Sequence, residues 1–257
     1  MKMPFELITV ACLSDNYAFI AHETLSGATV LVDIPESQPI LKILGDKGWI
    51  LSDIIITHHH NDHIQGLTEV LAVHPARVIG AASDSHRLPP LDLTVCEGDT
   101  VDIGNQTGKI FDVSGHTLGH VAIYFETAKL LFTGDSLMAL GCGRLFEGNA
   151  EQMLNSLRKL AVLDPESLVC SGHEYTSSNA RFALSIDPRN KELIKRAKIV
   201  GELRAKGLPT VPSSLREELE TNPFLRPQSK EIRINLDLQS ATDTEVFAEI
   251  RSRKDNF

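Results

Sequence analysis

The chain has 257 residues, 42% of them hydrophobic and 23% charged, a balance that supports a sizeable globular core. A formal charge of −9 argues against a broad phosphate-binding surface, which needs an excess of Lys and Arg. Four scattered cysteines (Cys12, Cys96, Cys142, Cys170) without a CxxC pair fit free thiols in a reducing compartment rather than a disulfide scaffold.

Short strands are expected over 5–10, 17–21 and 29–33, with Ser26-Gly27 at the turn between the last two. A helix over 39–47 ends near Gly48, a buried strand follows at 54–57, and a helix over 64–73 stops at Pro75. Further strands are expected over 77–80, 100–103, 109–113, 121–125, 130–133 and 168–170. An amphipathic helix over 151–163 aligns Leu154, Leu157, Leu160 and Ala161 on one face. From about Tyr175 the pattern turns helical, over 177–186, 191–206, 213–220 and 243–254, which suggests a small helical domain on a strand-rich core. No apolar run reaches the roughly 20 residues of a membrane span, and the opening residues lack the hydrophobic stretch of a leader. A cytoplasmic monomer with no nucleic-acid or membrane partner is expected.

The chemistry sits where apolar runs stop. Ile54-Ile55-Ile56 precedes His58-His59-His60-Asn61-Asp62-His63; residues 110–113 precede Ser114-Gly115-His116; Leu130-Leu131-Phe132 precedes Gly134-Asp135; Leu168-Val169-Cys170 precedes Gly172-His173. Strands that end at a common sheet edge would gather these side chains into one site. Residues two apart on an extended segment face the same way, so His58 and His60 can reach one ion together, while Asp62 and His63 turn toward a second. His58, His60 and His116 leave a coordination position open for water, the arrangement of a catalytic zinc site. Asp62, His63 and His173 form the second set, and Asp135 can give one carboxylate oxygen to each ion. Such a pair of cations can share a hydroxide between them. These donors suit zinc, with iron and manganese also compatible. His59 should point away, His120 should make a local hydrogen bond, and His22, His74 and His86 read as surface or turn residues. Cys142, between two glycines, reads as a small hydrophobe rather than a ligand.

The stretch Thr57-His58-His59-His60-Asn61-Asp62-His63, with Gly115-His116-Thr117, Gly134-Asp135 and Gly172-His173, resembles the metallo-β-lactamase superfamily. Within it the chain is similar to the glyoxalase II, or hydroxyacylglutathione hydrolase, family. That likeness rests on Asp15-Asn16-Tyr17, Gly141-Cys142-Gly143-Arg144, Ser171-Gly172-His173-Glu174-Tyr175-Thr176, Asn222-Pro223-Phe224-Leu225-Arg226-Pro227 and Ile250-Arg251-Ser252-Arg253-Lys254-Asp255. It covers nearly the whole chain.

The resemblance implies an α/β fold, an αβ/βα metallo-β-lactamase sandwich with a C-terminal helical domain. The catalytic part would span 1–173 and a helical substrate-binding part 174–257. It also implies two divalent metal ions per chain and a small-molecule glutathione thioester as substrate. Arg144, Phe146, Tyr175, Arg251 and Lys254 match the family's substrate contacts. Phe146 departs from the tyrosine often found there and lacks its hydroxyl; Gln65 departs before Gly66, where little effect is expected. The expected reaction is hydrolysis of S-2-hydroxyacylglutathione, typified by S-D-lactoylglutathione, by a metal-bridging hydroxide, with Asp62 and Asp135 as ligands and Asp62 orienting the nucleophile. Alternatives on the same scaffold are a persulfide dioxygenase, another ester or thioester hydrolase, a β-lactamase or an RNA nuclease. A metal-stapled binding module is the alternative from another class. The dioxygenase would not need the terminal pair Arg251 and Lys254, and that pair could by itself merely decorate a helix C-terminus.

Overall fold

In this computed structural model, which describes residues 4–257, two sheets pack face to face with helices on both outer surfaces. β1 (Phe5–Cys12), β2 (Asn16–Glu23) and β3 (Thr29–Val32) run antiparallel. Helix α1 (Ser37–Lys47) crosses back so that β4 (Asp53–Ile55) lies parallel to β3. After α2 (Asn61–Ile64) and α3 (Leu67–Val73), β5 (Arg77–Ala81) and β6 (Leu93–Val95) complete the sheet in parallel. Alternation decides which face each residue takes. Val30, Val32 and Ile55 point between the sheets, whereas Leu31 and Ile54 pack with Ile40 and Leu44 of α1 and Val70 of α3.

The second sheet starts as a meander of β7 (Thr100–Ile103), β8 (Gln106–Asp112), β9 (Val121–Phe125) and β10 (Leu130–Gly134). A small hairpin, β11 (Leu137–Met138) and β12 (Gly141–Cys142), and helix α4 (Ala150–Ala161) precede β13 (Leu168–Ser171), which joins parallel to β10. Asn149 and Gln152 form a capping box that starts α4, and its Met153, Leu154, Leu157 and Leu160 cover the outer face of this sheet with Leu131 and Val169. Between the sheets Phe125 and Phe132 meet edge to face, Phe5 lies 5.1 Å from Phe125, and Phe19 lies 5.7 Å from Phe132.

The remaining chain is helical: α5 (Thr176–Ile186), α6 (Lys191–Ala205), α7 (Leu215–Thr221), α8 (Lys230–Asn235) and α9 (Asp243–Asp255). It is not only helical, however. Ser213–Ser214, expected to open a helix, forms β14 and pairs antiparallel with β13 at the sheet edge. The helix proper starts at Leu215, two residues later than expected, because Ser214 caps it with Glu217. The continuous helix expected over 64–73 is also broken, since Gln65 donates to Pro35 O (2.8 Å) and Gly66 N to Ile34 O (2.9 Å). α8, β6 and the β11–β12 hairpin were not among the expected elements; each is too short to set up a readable period. Among the described residues no helix is long and apolar enough to cross a membrane, and all four cysteines are free thiols.

Phe132 is fully buried where both sheets and two other aromatic rings meet. Phe132→Ala is expected to lower unfolding free energy by about 3–5 kcal/mol, read as a shifted denaturant midpoint.

Candidate metal centre

The four apolar runs do end together, but not at the edge of one sheet. β8, β10 and β13 point the same way in the second sheet, while β4 belongs to the first. Their outgoing loops meet across one end of the sandwich. There His58 Nε2 and His116 Nε2 each lie 3.1 Å from His60 Nδ1. Beside them His63 Nε2 is 3.4 Å from His173 Nε2, which lies 3.5 Å from Asp62 Oδ2. Asp135 stands between the sets, with Oδ2 at 3.6 Å from His116 Nε2 and 3.2 Å from His173 Nε2, and Oδ1 at 3.5 Å from His63 Nε2. The structure thus brings His58, His60, Asp62, His63, His116, Asp135 and His173 together, and ligand atoms of His58, His63 and Asp135 also fall within 4.8 Å of one another. Three of these histidines come from an irregular loop and a one-turn helix, so sequence spacing anticipated the convergence but not the use of Nδ1 by His60.

These separations carry chemical information. Zinc bound to imidazole at about 2.0–2.1 Å in a tetrahedron sets its ligand atoms about 3.3 Å apart. Imidazole lone pairs facing one another this closely repel unless a cation lies between them. Asp135 Oδ1 is buried and has no hydrogen-bond donor among the described residues. Each of these features fits the donor sphere of a divalent metal.

Outer groups fix which nitrogen faces inward. His63 Nδ1 donates to Asp33 (2.8 Å), His173 Nδ1 to Asp15 (2.9 Å), and His116 Nδ1 to Arg144 O (2.7 Å). Thr57 Oγ1 donates to Asp33 (2.8 Å) and accepts from His58 Nδ1 (3.0 Å). Asn16 Nδ2 holds Asp62 Oδ2 (2.9 Å). Such partners orient ligands and raise their basicity. Asp33 was missed as a functional residue, although Leu31-Val32-Asp33 repeats the pattern of an apolar run ending in a potential ligand. It sits at φ 59°, a left-handed conformation that aspartate tolerates better than most residues, and also accepts from Thr57 N (2.8 Å). At Gly172 the backbone itself touches the cluster, since a Cβ there would fall 2.5 Å from Asp135 Oδ1.

His59 points away as expected and donates to Asp84 (2.8 Å). His120 does not bond locally: its Nε2 accepts from Asp135 N (3.0 Å), and its ring stacks on His58. His22, read as a surface or turn residue, lies in β2, bonds Thr29 (2.9 Å) and stacks on Trp49.

Electrostatics divides the cluster. Burial, then neighbouring imidazoles, pushes His58 well below its ordinary range and His60 down to about 4, so this half presents neutral imidazoles ready to donate. Burial likewise lowers His116. On the other half burial opposes charge on His63 and His173, but Asp135, joined by Asp33 and Asp15, outweighs it and raises both. Burial should lift Asp135, yet the surrounding imidazoles hold it far below the usual carboxylate range. This half therefore demands positive charge, which a dication would supply.

A cavity of about 500 Å³ opens on the cluster and is lined by Arg144, Phe146, Tyr175, Arg251 and Lys254, among others. Phe146 is largely exposed, with its ring edge-to-face with His60 (5.6 Å) and His116 (5.3 Å), and Tyr175 stacks on His173 at 4.6 Å. Arg251 is buried, donating to Cys142 O (3.0 Å) and Asp255 (2.9 Å), while its Nε has no acceptor among the described residues. Lys254 lies near Ser178 Oγ (3.4 Å) and over the rings of Phe182 and Phe257. The terminal basic pair thus faces the cavity rather than decorating the helix surface.

A sandwich with an Asp/His cluster at one end defines a class. Residues 20–173 match the family model described as "Metallo-beta-lactamase superfamily", and the chain belongs to that superfamily. Residues 174–257 match "Hydroxyacylglutathione hydrolase C-terminus". A hydroxyacylglutathione hydrolase of Roseobacter denitrificans is 56% identical over 99% of this chain and 100% of its own length, and one from Cereibacter sphaeroides is 55% identical over the same shares. The chain is a member of the hydroxyacylglutathione hydrolase family. In fold alone it is similar to the crystal structure of ETHE1 from Myxococcus xanthus, with a TM-score of 0.66, 23% identity and 97% of each chain covered.

Asp33 braces both halves of the cluster, directly through His63 and through Thr57 to His58. Asp33→Ala is expected to weaken divalent-metal affinity roughly 10–100-fold in competition with a chromophoric chelator.

Proposed function

We propose that this chain hydrolyses S-2-hydroxyacylglutathione thioesters, with S-D-lactoylglutathione cleaved to D-lactate and glutathione. The observation that carries this reading is the juxtaposition of a two-part donor cluster, joined by Asp135, with a cavity lined by three cationic side chains. His58, His60 and His116 would hold one divalent ion, Asp62, His63 and His173 a second, and Asp135 would serve both. We assign zinc, on donors that also suit iron and manganese. When bound, such ions make water nucleophilic near neutral pH and polarise a carbonyl oxygen.

The protein's own side chains then supply position. Asp62 Oδ2, held by Asn16 (2.9 Å), lies beside the His63 and His173 nitrogens of the second donor set, from where Asp62 would orient the nucleophile. Arg144, Arg251 and Lys254 offer charge-assisted hydrogen bonds to the carboxylates of the glutathione moiety. Burial and the carboxylates around it raise the Tyr175 hydroxyl above its ordinary range, which keeps it protonated as a donor to substrate. Phe146 presents an apolar edge in place of a hydroxyl. The departing thiolate is stable near neutral pH, so no strong general acid is required. In this reading residues 1–173 carry the chemistry and 174–257 grip the substrate. A cytoplasmic monomer completes it, in keeping with four cysteines left as thiols.

The deciding experiment combines elemental analysis with hydrolysis of S-D-lactoylglutathione before and after chelation. About two metal ions per chain and metal-dependent turnover are expected, and Asp135→Ala should reduce kcat/KM by about 10³-fold or more, on the order of 4 kcal/mol of transition-state stabilisation. Oxygen consumption with a persulfide and no thioester cleavage would overturn the reading.

Burial, reinforced by Arg251 and Arg181, brings Lys254 down to about 8. Below that pH its ammonium can pair with a substrate carboxylate; above it the charge is lost. KM for S-D-lactoylglutathione should therefore rise as pH passes through about 8, and Lys254→Arg, whose guanidinium stays protonated, should flatten that rise.

A further inference from the structure

The Asn222–Pro227 motif, singled out by sequence, takes no part in the chemistry above. Its first residue closes a buried polar network around the tight turn of the β11–β12 hairpin. Met138, Ala139, Leu140 and Cys142 are all buried, so the polar backbone groups of this turn cannot reach water and need internal partners. Side chains of the helical tail provide them. Asn179 Nδ2 donates to Ala139 O (3.0 Å), and Asn222 Nδ2 donates to Met138 O (3.1 Å) and Gly141 O (2.9 Å). Glu218 Oε2 accepts from Leu140 N (2.8 Å) and from Asn222 Nδ2 (3.1 Å). Glu218 is itself fixed by Ser213 Oγ (2.6 Å) and by a buried ion pair with Arg196, which also donates to Thr221 Oγ1 (2.7 Å). Leu140 sits at φ 57°, a conformation a leucine keeps only where its surroundings dictate it.

The turn has leverage on the donor cluster. Directly after β12 comes Gly143, where a Cβ would lie 2.0 Å from Asp135 O and 2.8 Å from His116 Nδ1, so backbone and ligands are in direct contact. The next residue supplies Arg144 O, the acceptor that fixes the His116 ring. Displacing the turn would therefore move the acceptor that aims His116 Nε2 at the site.

We propose that Asn222 and Glu218 are positioning residues for the metal centre. They act through the 138–141 turn and Arg144 O on His116, so that the tail sets metal retention as well as substrate grip. The inference rests on the metal-binding reading above.

The test compares the full-length chain with Asn222→Ala, Asn179→Ala and a control, Ile232→Ala, which removes fully buried apolar volume from α8 but none of the hydrogen bonds to the turn. Each protein is loaded with zinc, and ion release to excess chelator is followed; hydrogen exchange over residues 137–146 is measured on the metal-free proteins. Asn222→Ala should release its more labile ion about tenfold faster or more and exchange the 137–146 segment faster, with kcat falling more than KM rises. Asn179→Ala, which frees a single carbonyl, should give a smaller change in the same direction, and Ile232→Ala should match the unaltered chain in release and segment exchange even if its Tm is lower. Release and exchange in Asn222→Ala equal to the unaltered chain would overturn the proposal, as would equal effects in Ile232→Ala at matched loss of Tm. Should Asn222→Ala fail to fold, Asn179→Ala decides, and unchanged release there overturns it. If the unaltered chain binds no zinc, the metal reading fails instead, a separate result.

Discussion

A buried carboxylate ringed by imidazoles is the constraint around which this molecule is arranged. Asp135 is almost wholly shielded from solvent, and one of its oxygens has no donor among the described residues. Left alone it would be costly; placed between two sets of facing nitrogens, it becomes the negative centre of a cation site. The same need explains the ring of carboxylates further out. Asp33 and Asp15 take the outward N–H of His63 and His173, and Asp84 takes that of His59. The acidic balance of the chain, which argues against nucleic acid, is thus partly concentrated around a place that demands positive charge.

The sandwich makes this arrangement possible because strands of both sheets release their loops at one end. Apolar side chains lock the two sheets together through Phe19, Phe125 and Phe132, and the loops inherit that rigidity. Bulky helices on the outer faces leave the open end as the place where polar groups can gather. The cations that line the cavity come from α9 and from the loop that follows the β11–β12 hairpin.

Much of this was legible before the structure. Apolar runs ending in His or Asp reported the site, since a strand leaving the core delivers its next few residues to one edge. The 3.6-residue pattern reported α4, whose buried face is Met153, Leu154, Leu157 and Leu160. What was not legible follows from pairing at a distance. Ser213–Ser214 carries no strand pattern of its own and becomes a strand only because β13 offers an edge. The partition of the four runs between two sheets depends on topology, which a single run does not encode. Asp33 was hidden because its role lies in hydrogen bonds to Thr57 and His63, 24 and 30 residues away. Asn222 was visible only as the head of a motif and Glu218 not at all; their burial against the 138–141 turn is what gives them a role.

The two-residue strand β14 has a further consequence. An exposed row of unpaired N–H and C=O groups invites pairing with another chain, and proteins shield such edges. β13 would be that open edge, and it leads directly to His173. By laying Ser213 and Ser214 along Val169 and Leu168, the tail acts as a selvedge that keeps the sheet from ravelling into its neighbours. A truncated form ending near residue 173 would therefore face self-association as well as loss of Arg251 and Lys254 from the cavity wall, and swapping this tail between family members would succeed only if the graft brought its own edge strand.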